Sequence, residues 1–162
     1  MKPLRFEIVV KTKKPAVIGW KETVDLPEWG IQSILAKSDT GARRSALDVE
    51  DIVELPGKRV QFNIVLDRKD RTRTKTVVAA IDHQTHVRSS NGEKHERYFV
   101  RTTVKIHGRT KEVEFSLVAR NSMVCRILLG RKALEGDFLV DPSLKHVSGP
   151  RKKVRMLGNS IA

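Results

Sequence analysis

Apolar side chains recur at every second position through the middle of the chain, and this pattern limits the fold more than any other feature. One such run carries Val60, Phe62, Ile64 and Leu66. Two further runs, Tyr98 to Ile106 and Val113 to Ala119, flank a short turn and together predict a β-hairpin. Because a period of two is typical of half-buried strands, the sequence predicts a largely β structure.

Shorter patterns on either side of this region extend the prediction. Leu4 to Val10 predicts an opening strand, and Ile31 to Ala36 predicts another. The period of Ser45 to Val49 suits a strand or a helix equally, and Arg71 to Lys75 predicts a strand with a cationic row. Arg131 to Glu135 predicts one or two helical turns. We therefore expect an all-β domain, a closed barrel, with one short helix.

The length of 162 residues suits a single domain. We place it at residues 1–147, followed by a basic, loosely ordered tail at residues 148–162. The lone Cys125 excludes an internal disulfide, and its apolar neighbours place it in the core. No apolar run approaches the ~20 residues needed to span a bilayer, and no secretory leader pattern is present. The sequence therefore predicts a cytoplasmic protein without a membrane partner.

The net charge of +13 calls for an anionic partner, either nucleic acid or an acidic polypeptide. Aromatic residues are only 5% of the chain, and no zinc-finger, basic-zipper or RNP-type motif is present, so no motif supports nucleic acid. A cationic row is either a solvated face or a surface that steers an acidic chain. Its members are Arg68, Lys69, Arg71, Arg73 and Lys75.

The run Ile31 to Ala36 leads into Lys37-Ser38-Asp39-Thr40-Gly41-Ala42. An acidic residue, a hydroxyl residue and a glycine after a strand form a tight turn that can present one carboxylate. Gly41 allows close backbone approach, and we expect the Thr40 side chain to brace the turn by a hydrogen bond. Such a triplet is common in ordinary turns, but Asp39-Thr40-Gly41 also resembles the active-site motif of aspartic peptidases.

The second half of the chain strengthens this resemblance. Ile127-Leu128-Leu129-Gly130-Arg131 is similar to the hydrophobic-hydrophobic-Gly element that lies beside the active-site turn in aspartic peptidases. Between the two motifs, Arg88-Ser89-Ser90-Asn91-Gly92 predicts a hairpin tip where retropepsins carry the flap that closes over substrate; the alternative is a plain exposed hairpin.

Several blocks between Val17 and Val147 resemble a bacterial and archaeal family of retropepsin-like proteins whose older name describes ATP-dependent zinc proteases. These blocks are Ile18-Gly19-Trp20, Lys37 to Leu47, Arg88 to Gly92, Leu128 to Arg131 and Phe138 to Asp141. The resemblance implies a retropepsin-like closed barrel and an aspartic endopeptidase. The family's genes are often associated with ATP-grasp ligases that add glutamates to proteins, which implies an acidic or poly-glutamate-tailed polypeptide as substrate.

The resemblance also implies the site. Asp39, Thr40 and Gly41 would be catalytic. The implied substrate-binding residues are Ala42, Arg43, Arg88, Ser89, Ser90, Asn91, Gly92, Leu129, Gly130 and Arg131. Since aspartic peptidase chemistry needs two carboxylates, a homodimer would pair Asp39 with its symmetry mate, and Thr40 would brace the turn across the dyad. A monomeric scheme would need Asp48, Glu93 or Asp141 as the second carboxylate, and no motif favours any of them.

Three further interpretations stay open at this point. Arg43 and Arg44 could contact acidic substrate, or could be solvated or paired with Asp48 or Glu50. For zinc, His83 and His86 are the histidines closest in sequence, and they are too few for a hydrolytic centre. No phosphate-binding Gly-rich loop supports ATP, so we expect neither metal nor cofactor. The rival function is a non-catalytic barrel that binds nucleic acid or acidic protein through its basic surface.

Overall fold

The computed structural model describes residues 14–88, 90–119 and 123–157. The predicted opening strand at residues 4–10 lies outside the described residues. Within them the chain forms one short α-helix, α1, a single 3-10 turn at Pro27–Trp29 and eleven strands. The strands are β1 (Ala16–Leu26), β2 (Ile31–Ser38), β3 (Ser45–Leu55), β4 (Arg59–Val65), β5 (Thr74–Ala80), β6 (His83–Arg88), β7 (Lys94–Ile106), β8 (Arg109–Val118), β9 (Ile127–Leu129), β10 (Phe138–Lys145) and β11 (Arg155–Met156). Helix α1 spans Arg131–Leu134.

Six of the strands close into a barrel in the order β1-β2-β9-β3-β8-β7, with β7 returning to β1 through the pair Asp25↔Lys105. The apolar positions of the alternating runs face inward: Phe62, Ile64 and Phe115 are fully buried. The predicted all-β barrel with one short helix is confirmed. No helix among the described residues is long and apolar enough to span a membrane.

The structure decides one assignment that the sequence left open and corrects another. Ser45 to Val49, which suited a strand or a helix, begins strand β3, because it pairs in parallel with β8 and antiparallel with β9. The expected strand at Arg71 to Lys75 begins only at Thr74. Residues 71 and 72 form a turn, since the Asp70 carboxylate accepts hydrogen bonds from the backbone and hydroxyl of Thr72.

The C-terminal segment, expected to be a loose tail from residue 148, is attached to the barrel as far as Leu157. The buried carboxylate of Glu22 accepts hydrogen bonds from the N–H groups of Val147 and Ser148 at 3.0 and 3.2 Å. Further on, β11 pairs with β2, and the Leu157 N–H donates to the Gly30 carbonyl at 2.7 Å. Residues 158–162 lie outside the described structure.

Strand β9 fixes the geometry of the region around Asp39. It lies between β2 and β3, parallel to β2 and antiparallel to β3, with Ser38 opposite Leu129 and Ala46 opposite Leu128. Strand β9 therefore has a pairing strand on each edge, and Ile127 and Leu129 are fully buried. As a result, the segment after β2 and the segment after β9 leave the barrel side by side.

Candidate active site

Asp39 lies directly after β2, and its backbone and side chain are both fixed. Its N–H donates to the Leu129 carbonyl at 2.8 Å. Its Oδ1 accepts the Gly41 N–H at 2.9 Å, and its carbonyl accepts the Ala42 N–H at 3.3 Å. The side chain is only half-buried. The turn thus presents one carboxylate at the surface in a defined position.

Thr40 does not brace this turn as the sequence predicted. Its side chain is exposed, and within the described part of the chain its hydroxyl makes no hydrogen bond. The hydrogen bond that the Gly41 N–H donates to the Asp39 carboxylate closes the turn instead. The Thr40 hydroxyl is therefore available to a group outside the described residues.

The turn is joined to the start of α1 through the main chain. The N–H of Arg131 donates to the Ala42 carbonyl at 2.8 Å, and the N–H of Lys132 donates to the Arg43 carbonyl at 3.1 Å. These are N–H groups that a helix start leaves without an intrahelical partner. The first N–H groups of α1 therefore find their hydrogen-bond acceptors in the loop that follows Asp39, and these bonds fix the loop.

The Arg131 side chain adds a second connection. Its Nη1 donates to the carbonyl oxygens of Thr40 and Gly41 at 3.1 and 3.0 Å. A charged donor makes such bonds stronger than neutral ones. The guanidinium is otherwise exposed, so it fixes the loop beside Asp39 and also places a positive charge there.

Gly130 is required by the closeness of these two segments. A Cβ atom at this position would lie 2.4 Å from the Arg44 carbonyl oxygen and 2.9 Å from that of Ala42. Such distances are well inside van der Waals contact, so no other residue fits without moving the loop. The Gly130 N–H also donates to the buried Ser45 hydroxyl at 3.1 Å.

The residues that the resemblance implied for substrate binding fall into different environments. Leu129 and Gly130 are buried, and their contacts are with the Asp39 loop and with Ser45. Ala42 is half-buried. Arg43 is exposed, and in the described structure its side chain forms no hydrogen bond or ion pair, so it is free to contact a ligand.

Arg44, unlike Arg43, contacts several other side chains. Its guanidinium lies over the Phe99 ring at 4.8 Å, 3.3 Å from His83 Nε2 and 3.6 Å from Glu114 Oε1. The ion-pair partner is thus Glu114, and the pairing with Asp48 or Glu50 considered from the sequence is wrong. The two arginines after the turn therefore have different environments.

The predicted hairpin is present between β6 and β7. The two strands pair as far as Arg88↔Lys94, and Gly92 has a φ of 84°, in the left-handed region that favours glycine. Arg88, Ser90 and Asn91 are exposed, whereas Ser89 lies outside the described residues. Whether this hairpin closes over a substrate stays a prediction.

None of the three carboxylates considered for a monomeric scheme contacts the Asp39 carboxylate among the described residues. Asp48 is fully buried and bonded to Arg71 at 2.8 and 3.0 Å and to Arg126. Asp141 accepts hydrogen bonds from Ser143, which hold the pKa of the Asp141 carboxyl below its usual value. Glu93 lies in the hairpin tip, 3.6 Å from His95. Among the described residues, none of these three candidates therefore pairs with Asp39.

A group that could offer three metal ligands is formed by Asp82, His83 and Glu114. Two guanidinium groups already engage it: Arg101 bonds Asp82 at 2.7 Å and Glu114 at 3.2 Å, and Arg44 lies beside Glu114. Hydrogen bonds from His83 and then Arg101 lower the pKa of Asp82. Because cations occupy the carboxylates, these residues do not fit a zinc ion.

Sequence reasoning missed a buried ionic network behind the site. Asp48 joins Arg71 and the almost fully buried Arg126, and Arg71 also bonds Glu50. The Asp48 N–H donates to the Arg126 carbonyl at 2.9 Å, which ties β3 to the residue before β9. Burial lowers the pKa of the Arg126 guanidinium, and Asp48 opposes that effect. Single charges within the apolar runs at positions 48 and 126 were the available signal.

Three cavities of about 490, 220 and 490 Å³ lie on the described structure, and Asp39 lines none of them. The first is lined in part by Cys125, whose thiol is buried and has a raised pKa because of that burial. Such a thiol is a poor nucleophile. The half-buried Asp39 carboxylate thus lies outside these three cavities.

Among solved structures, a Legionella pneumophila protein of unknown function has the same fold. It matches with a TM-score of 0.68 and 22% identity, over 83% of this chain and 99% of that protein.

Two relatives are named probable alpha-L-glutamate ligases. The one from Shewanella pealeana is 34% identical over 78% of this chain, and the one from Shewanella halifaxensis is 32% identical over 86%. The chain spans only 28% and 31% of their lengths. The similarity therefore concerns one segment of larger proteins.

A protein-family model described as RimB-like, retropepsin-like aspartic endopeptidase RimB, matches residues 17–151. That range contains both the Asp39 turn and the β9–Gly130 element that holds it, as well as the hairpin between β6 and β7. The chain therefore belongs to the RimB-like family of retropepsin-like proteins.

Proposed function

We propose that this protein is an aspartic endopeptidase in which Asp39 is one of two catalytic carboxylates. The observation that carries the proposal is the attachment of the Asp39 loop to Leu129, Gly130 and Arg131. Seven hydrogen bonds, within the loop and from it to residues 129–132, and the close contact at Gly130 fix a single half-exposed carboxylate. An ordinary surface turn needs no such support, whereas a catalytic group must be held in one position.

The chemistry requires a second carboxylate close to the first. Two such groups share one proton, because like charges at ~3 Å do not both ionise readily. The ionised carboxylate takes a proton from water as the water oxygen attacks the peptide carbonyl carbon, and the protonated one donates to the carbonyl oxygen. Collapse of the tetrahedral intermediate then breaks the C–N bond as the nitrogen is protonated. Asp39 suits either role.

A second copy of this chain is the proposed source of the other carboxylate. Asp39 has no partner carboxylate among the described residues of its own subunit, and it lines none of the three cavities. The exposed Thr40 hydroxyl also lacks a partner there. A two-fold axis beside the loop would supply both groups at once and would form a cleft between the two copies.

The substrate that we propose is an acidic polypeptide, such as a protein carrying a glutamate tail. Exposed cations surround the carboxylate: Lys37 precedes it, Arg43 follows it, and Arg131 and Lys132 lie on the adjoining helix. The relatives named probable glutamate ligases contain a similar segment. A hydrolase that removes what such a ligase adds is consistent with both observations.

The test compares wild type with Asp39→Asn on a poly-glutamate-tailed peptide, from about pH 4 to about pH 8, with and without a chelator. We expect cleavage by wild type to persist in chelator and to fall at least about 10³-fold in the variant, because the shared proton and the base are lost together. Asp51→Asn, which changes an exposed Asp on β3, should leave the rate unchanged.

Cleavage that survives Asp39→Asn and disappears in chelator would overturn the proposal. The second candidate is a non-catalytic module that binds an acidic partner, and the net charge of +13 favours it as much as it favours the enzyme. Absence of cleavage by either protein, together with salt-sensitive binding of the peptide to both, would support that module instead.

A further inference from the structure

A cavity of about 490 Å³ on the outer side of β2 combines a cationic rim with an apolar floor. Its rim cations are Lys21, Arg68, Lys69, Arg151, Lys152 and Lys153. Its floor includes the buried Leu66 and Cys125, and Leu35 and the half-exposed Val124 also line it. The one carboxylate among the lining residues, Asp67, accepts the Lys69 N–H at 2.9 Å and lies 3.8 Å from Arg73.

Three separate parts of the chain supply these cations, and each is held in place. Lys21 is on β1, and Arg68 and Lys69 are in the turn after β4. The third part, residues 151–153, is fixed on both sides. Before it, Glu22 holds Val147 and Ser148; after it, β11 pairs with β2, and Arg73 donates to the Val154 carbonyl at 3.4 Å.

The positive field of this arrangement reaches the floor. Burial raises the pKa of the Cys125 thiol, and the positive charges of Lys21, Arg126, Lys37 and Arg151 oppose that rise. Gathering like charges around one cavity destabilises the folded chain by mutual repulsion. An anionic occupant would offset that repulsion. A basic face that is only solvated gives no reason for the cations to gather around one cavity.

We infer that this cavity is a second binding site for the acidic stretch of a polypeptide substrate, separate from the cleavage site at Asp39. Carboxylates would pair with the rim, while side-chain methylenes would cover the apolar floor. Nucleic acid fits less well, because no aromatic residue is among those that line the cavity and none can stack a base.

The cavity and Asp39 are connected along β2. Ser33 and Leu35 line the cavity, and Lys37 continues the same face of the strand two residues before Asp39. Lys37 is also the cross-strand partner of Lys21 on the rim. From Leu35 to Asp39 the strand covers about 13 Å. An extended acidic segment of about four residues would span that distance.

The assignment of this cavity to a substrate rests on the proposed endopeptidase activity, but binding of the peptide can be measured without cleavage. The experiment measures binding of a fluorescein-labelled poly-glutamate peptide to the full-length Asp39→Asn protein by fluorescence anisotropy. The test variant adds R68E and K69E on the rim. The matched control adds K58E and R59E, an exposed Lys-Arg pair at the end of the β3–β4 turn and the start of β4 that does not line the cavity.

We expect the rim variant to lose about tenfold or more in affinity and the control about twofold or less, because only the rim charges meet the peptide directly. R151E with K153E, on a different segment of the rim, should repeat the rim result, and thermal unfolding checks that each variant is folded. In wild type, the same rim changes should raise KM and leave kcat unchanged.

Equal losses in the rim and control variants would overturn the inference, since net charge alone would then explain binding. Tighter binding of oligothymidylate than of a peptide with equal charge would also overturn it. If the peptide binds at the rim but wild type does not cleave it, the proposed activity fails and the second site stands. If wild type cleaves the peptide and the rim changes have no effect on binding or KM, the proposed activity stands and the second site fails.

Discussion

Gly130 allows the candidate catalytic loop to lie directly against the end of β9, because it has no side chain. A Cβ atom there would meet the carbonyl groups of Arg44 and Ala42, which are main-chain atoms and cannot rotate away. The neighbouring Ser45 hydroxyl and the Arg131 N–H hold the two segments at this separation. The position of Asp39 therefore depends on a residue that has no functional group.

Gly130→Ala should lower the free energy of unfolding by about 2–3 kcal/mol, because the added atom overpacks a buried contact. It should also reduce cleavage, since the loop must shift to accept the methyl group. Urea unfolding and the peptide assay measure the two effects. Gly108→Ala is the control: its φ is 74° but its surroundings are open, so it should cost about 1 kcal/mol and leave the rate per folded molecule unchanged.

Asp48 is the residue on which the buried ionic network depends. It lies between Arg71 and Arg126, and Arg126 is only 2% exposed. Removing one member of such a group leaves an uncompensated buried charge, which costs more than the intact group contributes.

We expect Asp48→Asn to destabilise the protein by about 3–5 kcal/mol, measured by chemical denaturation. Adding Arg126→Met should restore part of that loss, because the unpaired guanidinium is then removed. Asp67→Asn breaks a looser, part-exposed pair with Arg73 and should cost less than about 1 kcal/mol. A double variant as unstable as the sum of its single changes would contradict the assigned network.

At the scale of elements, the end of β10 is attached to β1 by Glu22, and His146 lies in this junction. The His146 Nδ1 is buried without a hydrogen-bond partner among the described residues. Burial, and then the charge of Lys21, lower the pKa of His146 below its usual 6.5. The titratable groups whose charges act on it are Lys21, Glu22, Lys145 and Arg151.

A depressed histidine pKa makes stability fall as the solution becomes more acidic. Below about pH 6.5 this histidine binds a proton in the unfolded chain but not in the folded chain, so the free energy of unfolding falls. The fall ends once the pH is also below the pKa of His146 in the folded chain. His146→Asn should therefore flatten the decline in stability between about pH 7 and pH 5. Asparagine tolerates the left-handed backbone at this position, where φ is 52°.

The control for this substitution is His107→Asn. His107 also has a positive φ, of 49°, but it is exposed in the β7–β8 turn. Urea midpoints measured across the pH range should change their slope only for the His146 variant. An identical change in both variants would show that the junction is not the source of the pH dependence.

At the scale of the whole molecule, the question is whether one subunit suffices for catalysis. Asp39 and Thr40 have no partners for their functional groups within the described subunit, apart from the turn's own Gly41 N–H. A dimer would complete the site without further residues.

Mixing wild type with Asp39→Asn distinguishes the two schemes. If subunits exchange and both carboxylates are needed, an equal mixture should retain about a quarter of the activity of the same total wild-type protein. A monomeric enzyme should retain about half. Specific activity should also fall on dilution only for the dimer, and light scattering gives the corresponding change in mass.

Local sequence patterns were sufficient for the central strands, such as β4, β7 and β8, and for the place of the Asp39 turn. Alternation reports which side of a strand is buried, and this depends on neighbours in sequence, as at Phe62 and Phe115. The pattern failed where a side chain formed a distant contact. Arg71 continued a strand-like row, yet its guanidinium binds Asp48, 23 residues away, and its backbone lies in a turn.

By itself, then, the sequence determined an all-β chain with one short helix, a carboxylate turn and a net positive charge, since composition and period are local properties. Only the tertiary structure decided which residues meet. It joined Arg126 to Asp48 across 78 positions and Arg131 to Thr40 across 91. It also brought Lys21, Arg68 and Arg151 to one cavity. The physical reason is that these contacts arise from strand order and packing, which no single stretch of sequence encodes.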